Sequence, residues 1–444
     1  MADKDDRVLI VGGGAWGLST ALFLVEAGYT NVTILERANS IPSPYSAAYD
    51  LNKIVRAEYE DAFYTELALK AIQAWKTPLF APHYHQTGYI VATSGSAPDK
   101  AIATLEKSLA SVEKHPVFAP GIQRLDGPDA FRKHAWQLSG PLTGFRGYIN
   151  PLGGYAHSAN CLQAVWEHVS ACGVRSILGN KAGCAVRLEY AEDAGQVKVT
   201  GVVTADGKTH PAHLVICALG AHGAALVPQL GANNANVARC WSVAHVQLTE
   251  SECNLLRGLP TTNVRDLGFF FEPDPKTRLF KLCPLGAGYT NYDSRVNGVS
   301  LPPDNKRGFQ PNAIPKADEL KLRRLLQETF PWMAGRPFVD TKLCWFSDTA
   351  DSNYCIDFVP NTNRSVVALS GDSGHGFKMM PIFGQWVVDL LTRGQQTEPR
   401  WQWRAHSKDC AQWGDSVSWR VGEAAEWKDI LEEQEEAGVG RSKL

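Results

Sequence analysis

Arg7-Val8-Leu9-Ile10-Val11-Gly12-Gly13-Gly14-Ala15-Trp16-Gly17-Leu18-Ser19-Thr20-Ala21-Leu22 decides the fold of this chain. Four apolar residues, Val8 to Val11, read as a short buried strand. Gly12 to Gly17 then fits G-x-G-x-x-G, and Ser19 to Ala27 continues as a helix that Gly28 ends. The first glycine of such a motif allows a tight turn. The second lets a pyrophosphate approach the backbone, and the third packs helix on strand. A diphosphate placed there meets unpaired N–H groups and the positive end of the helix dipole. Asn31 to Leu35 predicts a second strand ending at Glu36, about 20 residues beyond the glycines. A carboxylate there suits a ribose 2′-hydroxyl and argues against a 2′-phosphate. Strand, glycines, helix, strand and acid in this order mark a dinucleotide site. Its candidate contacts are Gly12, Gly14, Ala15, Trp16, Gly17, Glu36, Arg37, Ser46 and Gly220.

The 444 residues suffice for two or three domains and a large core. The formal net charge is −2, so no basic field favours nucleic acid. No run of 18 apolar residues predicts a membrane span. The charged opening, Met1 to Arg7, lacks the apolar stretch of a secretory signal. Ten cysteines contain no C-x-x-C pair. They read as reduced thiols, not a disulfide frame or zinc site, and no metal is expected. The final Ser442-Lys443-Leu444 spells a receptor-read peroxisomal address behind an acidic tail, Glu432 to Glu436. It predicts a peroxisomal location and an import receptor as partner. Peroxisomes hold enzymes that make hydrogen peroxide, so the address favours an oxidase over a dehydrogenase.

Further along, Ser40 to Asp50 is a loop rich in turn formers. Lys53 and Arg56 are three apart and would share a face on a helical turn, as a basic face neutralised by Glu58 and Glu60. Phe63 to Trp75, Ala101 to Lys114, Ser158 to Cys172, Ala317 to Phe330 and Met380 to Leu391 read as helices. Gln86 to Thr93 reads as a strand opening a second sheet, and Gly147 to His157 as a turn-rich link. Ala205-Asp206-Gly207 joins a hairpin. Ala212 to Leu219 is a buried strand running into Gly220, and Asp340 to Asp351 crosses back. Two domains thus interleave. The nucleotide-binding one takes 1–80, 150–235 and 340–400, the substrate domain 81–149 and 236–339, and 401–444 is a C-terminal extension.

Five motifs in order resemble the monomeric sarcosine oxidase family, and its fungal branch above all. They are Gly12–Gly17 with Glu36, Asn52-Lys53-Ile54-Val55-Arg56, Phe269-Phe270-Phe271-Glu272-Pro273, Cys344-Trp345, and Gly374-His375-Gly376-Phe377-Lys378. The branch holds fructosyl amino acid oxidases (amadoriases), pipecolate and saccharopine oxidases, and N-methyl amino acid oxidases. The resemblance implies an α/β fold. An FAD-binding Rossmann-like domain of the D-amino acid oxidase/glutathione reductase type interleaves with a mixed-sheet α+β substrate domain. It implies oxidation of the secondary amine of an amino acid to an imine, with O2 reduced to hydrogen peroxide. FAD would be linked through Cys344. Many fungal relatives carry a second cysteine two positions on, where this chain has Phe346.

The same resemblance assigns roles. Lys281 matches the lysine placed over the flavin for oxygen, where an ammonium stabilises charge developing on O2. Arg56 and Lys378 match the pair that holds the substrate carboxylate, a planar fork beside a point charge. Lys53 matches a basic residue near the flavin ring. Gly374, Gly376 and Phe377 bring backbone to the flavin, and His375 is a candidate base with a satisfied turn histidine as its alternative.

The chain departs from the amadoriases after Lys281. Those usually read Cys-Asp-Glu-His-Pro-Gly, with the glutamate on substrate; here the run is Cys283-Pro284-Leu285-Gly286-Ala287-Gly288. Phe270 and Leu285 suggest an apolar wall, against which sugar hydroxyls would go unmatched. Arg56 is present where amadoriases commonly lack it. Both changes favour an amino acid gripped by its α-carboxylate, with amadoriase activity as the alternative. Two rivals from other classes are an NAD-dependent dehydrogenase and a non-catalytic flavin-fold binding protein.

Overall fold

A computed structural model describes residues 3–193, 195–232, 236–293, 299–303, 314–404, 422 and 424–430. The acidic tail and Ser442-Lys443-Leu444 lie outside the described residues.

Val8–Val11 forms strand β1, Ala15–Glu26 helix α1 and Val32–Glu36 strand β2. β1 is central in a six-stranded sheet, flanked in parallel by β2 and by Leu214–Cys217. Arg175–Leu178 extends the sheet beyond β2. Val366–Ser370 extends it on the other side in parallel, and Cys355–Phe358 closes that edge antiparallel. Such a sheet is covered on both faces, which is why its strands read as continuous apolar runs. Ile10 and Ile34 are fully enclosed, each contributing about 1.5–3 kcal/mol by burial. Helix α1 packs on Met380–Arg393, and Ser19 Oγ donates to Met380 O at 2.6 Å.

A ten-stranded sheet takes strands from 89–150, 237–348 and 425–426. Its register sorts side chains between two faces, because the side-chain period in a strand is two. Ile90, Ala92, Ile149, Val264, Phe270 and Leu282 share one face. They pack under helix Lys316–Thr329 with its Leu322, Leu325 and Leu326. Tyr89, Val91, Tyr148, Asn263, Phe269, Lys281 and Cys283 fall on the other.

Three segments differ from the sequence reading. Lys53–Val55 is a strand, β3, paired with Gly154–Ala156, not a helical turn. Its β-branched Ile54 and Val55 favour that conformation. The segment Gly147 to His157 holds two strands, Arg146–Asn150 and Gly154–Ala156, with the turn confined between them. Val339–Asp348 runs in the large sheet against Val237–Gln247 and does not join the nucleotide sheet. That pairing brings Cys344 opposite Trp241.

Candidate active site

One cavity of about 540 Å³ lies where the glycine loop meets the second face of the large sheet. Gly12, Gly14, Ala15, Trp16, Glu36, Arg37, Ser46 and Gly220 line it, and so do Lys53, Arg56, Lys281, Cys344 and the run Gly374 to Lys378. Two of the expected residues do not. Gly17 lies behind the loop, where a Cβ would strike the Gly12 carbonyl. Phe270 points into the opposite core, against Phe280 and Phe330 at ring separations of 5.6 and 5.3 Å. The apolar wall expected of Phe270 is instead made by its neighbours Phe269 and Phe271, with Leu285. A one-residue shift in a strand turns a side chain to the other face.

The glycine loop is built for a dinucleotide. Gly12 has φ +111°, and a Cβ there would strike the Ala218 carbonyl, so only glycine fits. Gly14 caps α1 without any side-chain capping bond, which leaves first-turn N–H groups for a ligand. A Cβ on Gly14 would lie 2.9 Å from Ser46 Oγ. Glu36 Oε1 accepts from Ala38 N at 2.9 Å and Ser43 Oγ at 2.8 Å, while Oε2 accepts from Gly13 N at 2.9 Å. The carboxylate therefore shapes the loop and still lines the cavity. Arg37 lies 4.3 Å over the Tyr45 ring and 3.1 Å from His222 Nε2. Burial and the Arg37 charge push His222 down to about 3, so a neutral imidazole faces the guanidinium.

A cluster of cations stands around one acid, Asp50. Lys281 Nζ donates to Asp50 Oδ2 at 2.6 Å and to Asn52 O at 2.7 Å. Lys53 Nζ donates to the same carboxylate oxygen at 2.8 Å and approaches Cys344 Sγ at 3.6 Å. Lys342 Nζ is 3.5 Å from Oδ1. Burial alone would raise the Asp50 carboxyl, but the three ammonium groups hold it well below the usual range. Burial pushes the Lys281 ammonium down, with Asp50 opposing. Burial also works against the Lys53 charge, and there Asp50 prevails and raises it. Cys344 Sγ is 3.5 Å from Ala47 O. Cys283, buried beside Lys281 on the same strand, has its thiol pushed up to about 11 by burial.

Arg56 and Lys378 form a second cationic group. Lys378 Nζ donates to Tyr59 OH at 3.0 Å and His375 O at 2.9 Å. Burial and then the Arg56 charge push this ammonium well below its ordinary value. The Arg56 guanidinium lies 4.7 Å over the Tyr59 ring, and its buried Nη1 has no hydrogen-bond partner. His375 lines the cavity, yet both ring nitrogens are engaged. Nε2 meets Ser352 O at 2.9 Å, and Nδ1 lies 3.0 Å from Tyr59 OH and 3.1 Å from Tyr354 OH. With Nε2–H donating to that carbonyl, Nδ1 is an acceptor for the tyrosines. This geometry holds Tyr59 and Lys378 in place, in keeping with the turn-histidine alternative.

A family model described as FAD dependent oxidoreductase matches residues 7–390. The chain belongs to that family. Relatives of this FAD dependent oxidoreductase include L-saccharopine oxidase of Schizosaccharomyces pombe. It is 30% identical over 439 residues, covering 95% of this chain and 98% of that one. Monomeric sarcosine oxidase of an Arthrobacter species is 23% identical over 88% of this chain and 94% of its own. Among solved structures, fructosamine oxidase (Amadoriase II) of Aspergillus fumigatus in complex with FSA has TM-score 0.85 at 31% identity, covering 97% of each chain. Fructosyl peptide oxidase from E. terrenum has TM-score 0.86 at 27% identity, covering 97% of this chain and 98% of that one. The Rossmann-like sheet interleaved with a mixed sheet is the fold of this family.

For an FAD dependent oxidoreductase, three residues stand out that the sequence reading missed. Asp50 neutralises the lysines in place of the expected Glu58 and Glu60. Its signal was its position three before Lys53, but an acid in a turn-rich loop looks solvated. Tyr59 bridges Lys378 and His375, and Arg265 lines the cavity near Arg56. Arg265 sits just past a strand, where sequence alone does not say which way it points.

Proposed function

We propose that this chain oxidises the secondary amine of an amino acid, of the sarcosine or N-methyl, pipecolate or saccharopine kind, to an imine. O2 is the acceptor and hydrogen peroxide the second product. The observation that carries the reading is the unpartnered Arg56 Nη1 beside buried Lys378 in the cavity that also holds Lys281 and Cys344.

A buried cation pair is costly without an anion between its members. A substrate carboxylate supplies one, with the arginine fork giving direction and the lysine charge. Tyr59 and the His375 carbonyl fix Lys378, so the clamp is set before substrate arrives. FAD, held by the Gly12–Gly14 loop and the Gly374–Lys378 run, would supply the two-electron acceptor for the C–H beside the nitrogen and the route of those electrons to O2. Phe269, Phe271 and Leu285 exclude water from the amine and favour its neutral form. Lys281, held by Asp50, presents a fixed positive charge where negative charge develops on oxygen. Cys344 is the residue for a covalent flavin linkage, its sulfur oriented by Lys53. Ser442-Lys443-Leu444 directs the protein to peroxisomes through the import receptor. Deleting the tripeptide should leave a tagged protein cytosolic, and unchanged import would place the address elsewhere.

A second reading, deglycation of fructosyl amino acids, has the likeness to Amadoriase II in its favour. Peroxide release decides, with sarcosine, other N-methyl amino acids, L-pipecolate, L-proline, L-saccharopine and fructosyl-valine as the panel. Turnover of the amino acids above fructosyl-valine supports the first reading. Turnover of fructosyl-valine alone supports the second.

A further inference from the structure

We infer that the pocket carries a second carboxylate subsite, centred on Arg265 beside Asn263, with Tyr89 and Tyr148 packed behind them, and that the amine oxidised is a dicarboxylate. The inference rests on the secondary amino acid reading above and narrows its substrate class.

Strand register puts these groups together. Asn263 and Tyr148 each pair with Val91, and Tyr89 lies two residues before Val91 on the same face. Arg265 follows two residues after Asn263. Arg265, Asn263 and Arg56 all line the cavity. Arg265 and Asn263 are each 6% exposed, Tyr89 1% and Tyr148 0%. Arg265 Nη2 donates to Ser108 Oγ at 2.9 Å, which ties the guanidinium to helix Asp99–Glu113.

Two guanidinium donors on this wall are left open. Arg265 Nε and Arg56 Nη1 belong to cavity-lining residues and are buried without a hydrogen-bond partner, while the Tyr89 hydroxyl behind them meets the Asn263 side chain. Native proteins leave few such atoms, so two charged donors beside one cavity call for a ligand or ordered water. Two arginines choose between them. Burial lowers the proton affinity of Arg265 and the Arg56 charge adds to it, with Tyr89, Tyr148 and Glu60 opposing but not prevailing. The nearby buried acid, Glu58, is committed to Asn150 Nδ2 at 2.6 Å and Ala57 N at 3.1 Å. Water would satisfy the dipoles and leave both charges in place. One carboxylate satisfies Arg56 and Lys378, and a second satisfies Arg265. The sarcosine carboxylate alone would leave Arg265 unmatched.

The test uses holoenzyme and two pairs of probes that differ only in charge. N-methyl-L-glutamate and N-methyl-L-glutamine place the second group on the carbon side chain. N-(2-carboxyethyl)glycine and its side-chain amide place it on nitrogen. In at least one pair, kcat/KM for the acid should exceed that for the amide by about 30-fold or more, the scale of a buried charge pair. Arg265→Gln should cut that preference to about threefold, lowering kcat/KM for the acid far more than for the amide, and Arg265→Lys should restore part of it. Flavin content and circular dichroism check that the variants fold. Acid and amide turning over alike in both pairs would overturn the second subsite and leave the amine oxidase reading standing. A preference surviving in Arg265→Gln would also overturn it. Failure of all four compounds and of sarcosine, L-pipecolate and L-saccharopine to reduce the flavin would overturn the amine oxidase reading, and this inference with it.

Discussion

Lys281 and Asp50 form a buried ion pair, Nζ to Oδ2 at 2.6 Å, with each side chain 1% exposed. The pair fixes where the Lys281 charge sits. Lys53 and Lys342 share the same carboxylate, so the cluster keeps net positive charge beside the cavity. Lys281→Met should therefore slow reoxidation of the reduced holoenzyme by O2 about 100-fold or more, and anaerobic reduction by amine far less. Stopped-flow of the two half-reactions separates them. Equal losses in both would remove the oxygen role.

Cys344 lines the cavity with Lys53 Nζ 3.6 Å from its sulfur. Acid-precipitated wild type should retain flavin colour in the pellet, and Cys344→Ala should release it to the supernatant. Release from wild type would show that no covalent bond forms.

Phe269 and Phe270 are neighbours with opposite duties. Phe270→Ala should cost about 3–5 kcal/mol of stability, as for emptying a packed aromatic core site, with KM little changed in the surviving fold. Phe269→Ala, on the cavity face, should change KM with a much smaller fall in Tm. Thermal denaturation and steady-state kinetics read both. The reverse ranking would contradict the register described for Gly268–Phe270 and Leu279–Pro284.

Lys378 titrates well below an ordinary lysine because of burial and Arg56, with Asp372 and Glu58 opposing. Glu58 is raised from its ordinary value by burial. A carboxylate bound between Arg56 and Lys378 raises the Lys378 ammonium and pushes Glu58 up further. Binding should therefore take up protons, and affinity should fall as pH rises through the Lys378 value of the free protein. Acetate titrations by calorimetry, in buffers of different ionisation enthalpy, should give net uptake. Proton release would contradict the clamp.

The nucleotide half was legible because its signal is local. Glycines, apolar strands and Glu36 lie within one βαβ unit whose geometry follows from the motif. The residues proposed for oxygen and for the carboxylate, Lys281, Arg56 and Lys378, could be singled out only through resemblance, since they come from three distant segments. Phe270 was misplaced because three consecutive phenylalanines do not reveal their parity, and only pairing with Thr262 and Leu282 sets it. Asp50 and Arg265 escaped for a related reason. A charged residue in a loop or at a strand end looks solvated until tertiary contacts bury it.

The central claim is that Arg56 and Lys378 grip the α-carboxylate of an amine while its C–H is oxidised. Anaerobic reduction of the holoenzyme by an amino acid and by its decarboxylated analogue, such as L-pipecolate and piperidine, tests it most directly. The amino acid should reduce wild type far faster. Arg56→Ala and Lys378→Ala should each cost it about 2–5 kcal/mol in transition-state binding and barely affect the analogue. If the decarboxylated amine reduces the wild-type flavin as fast as the amino acid, the clamp is not what selects the substrate.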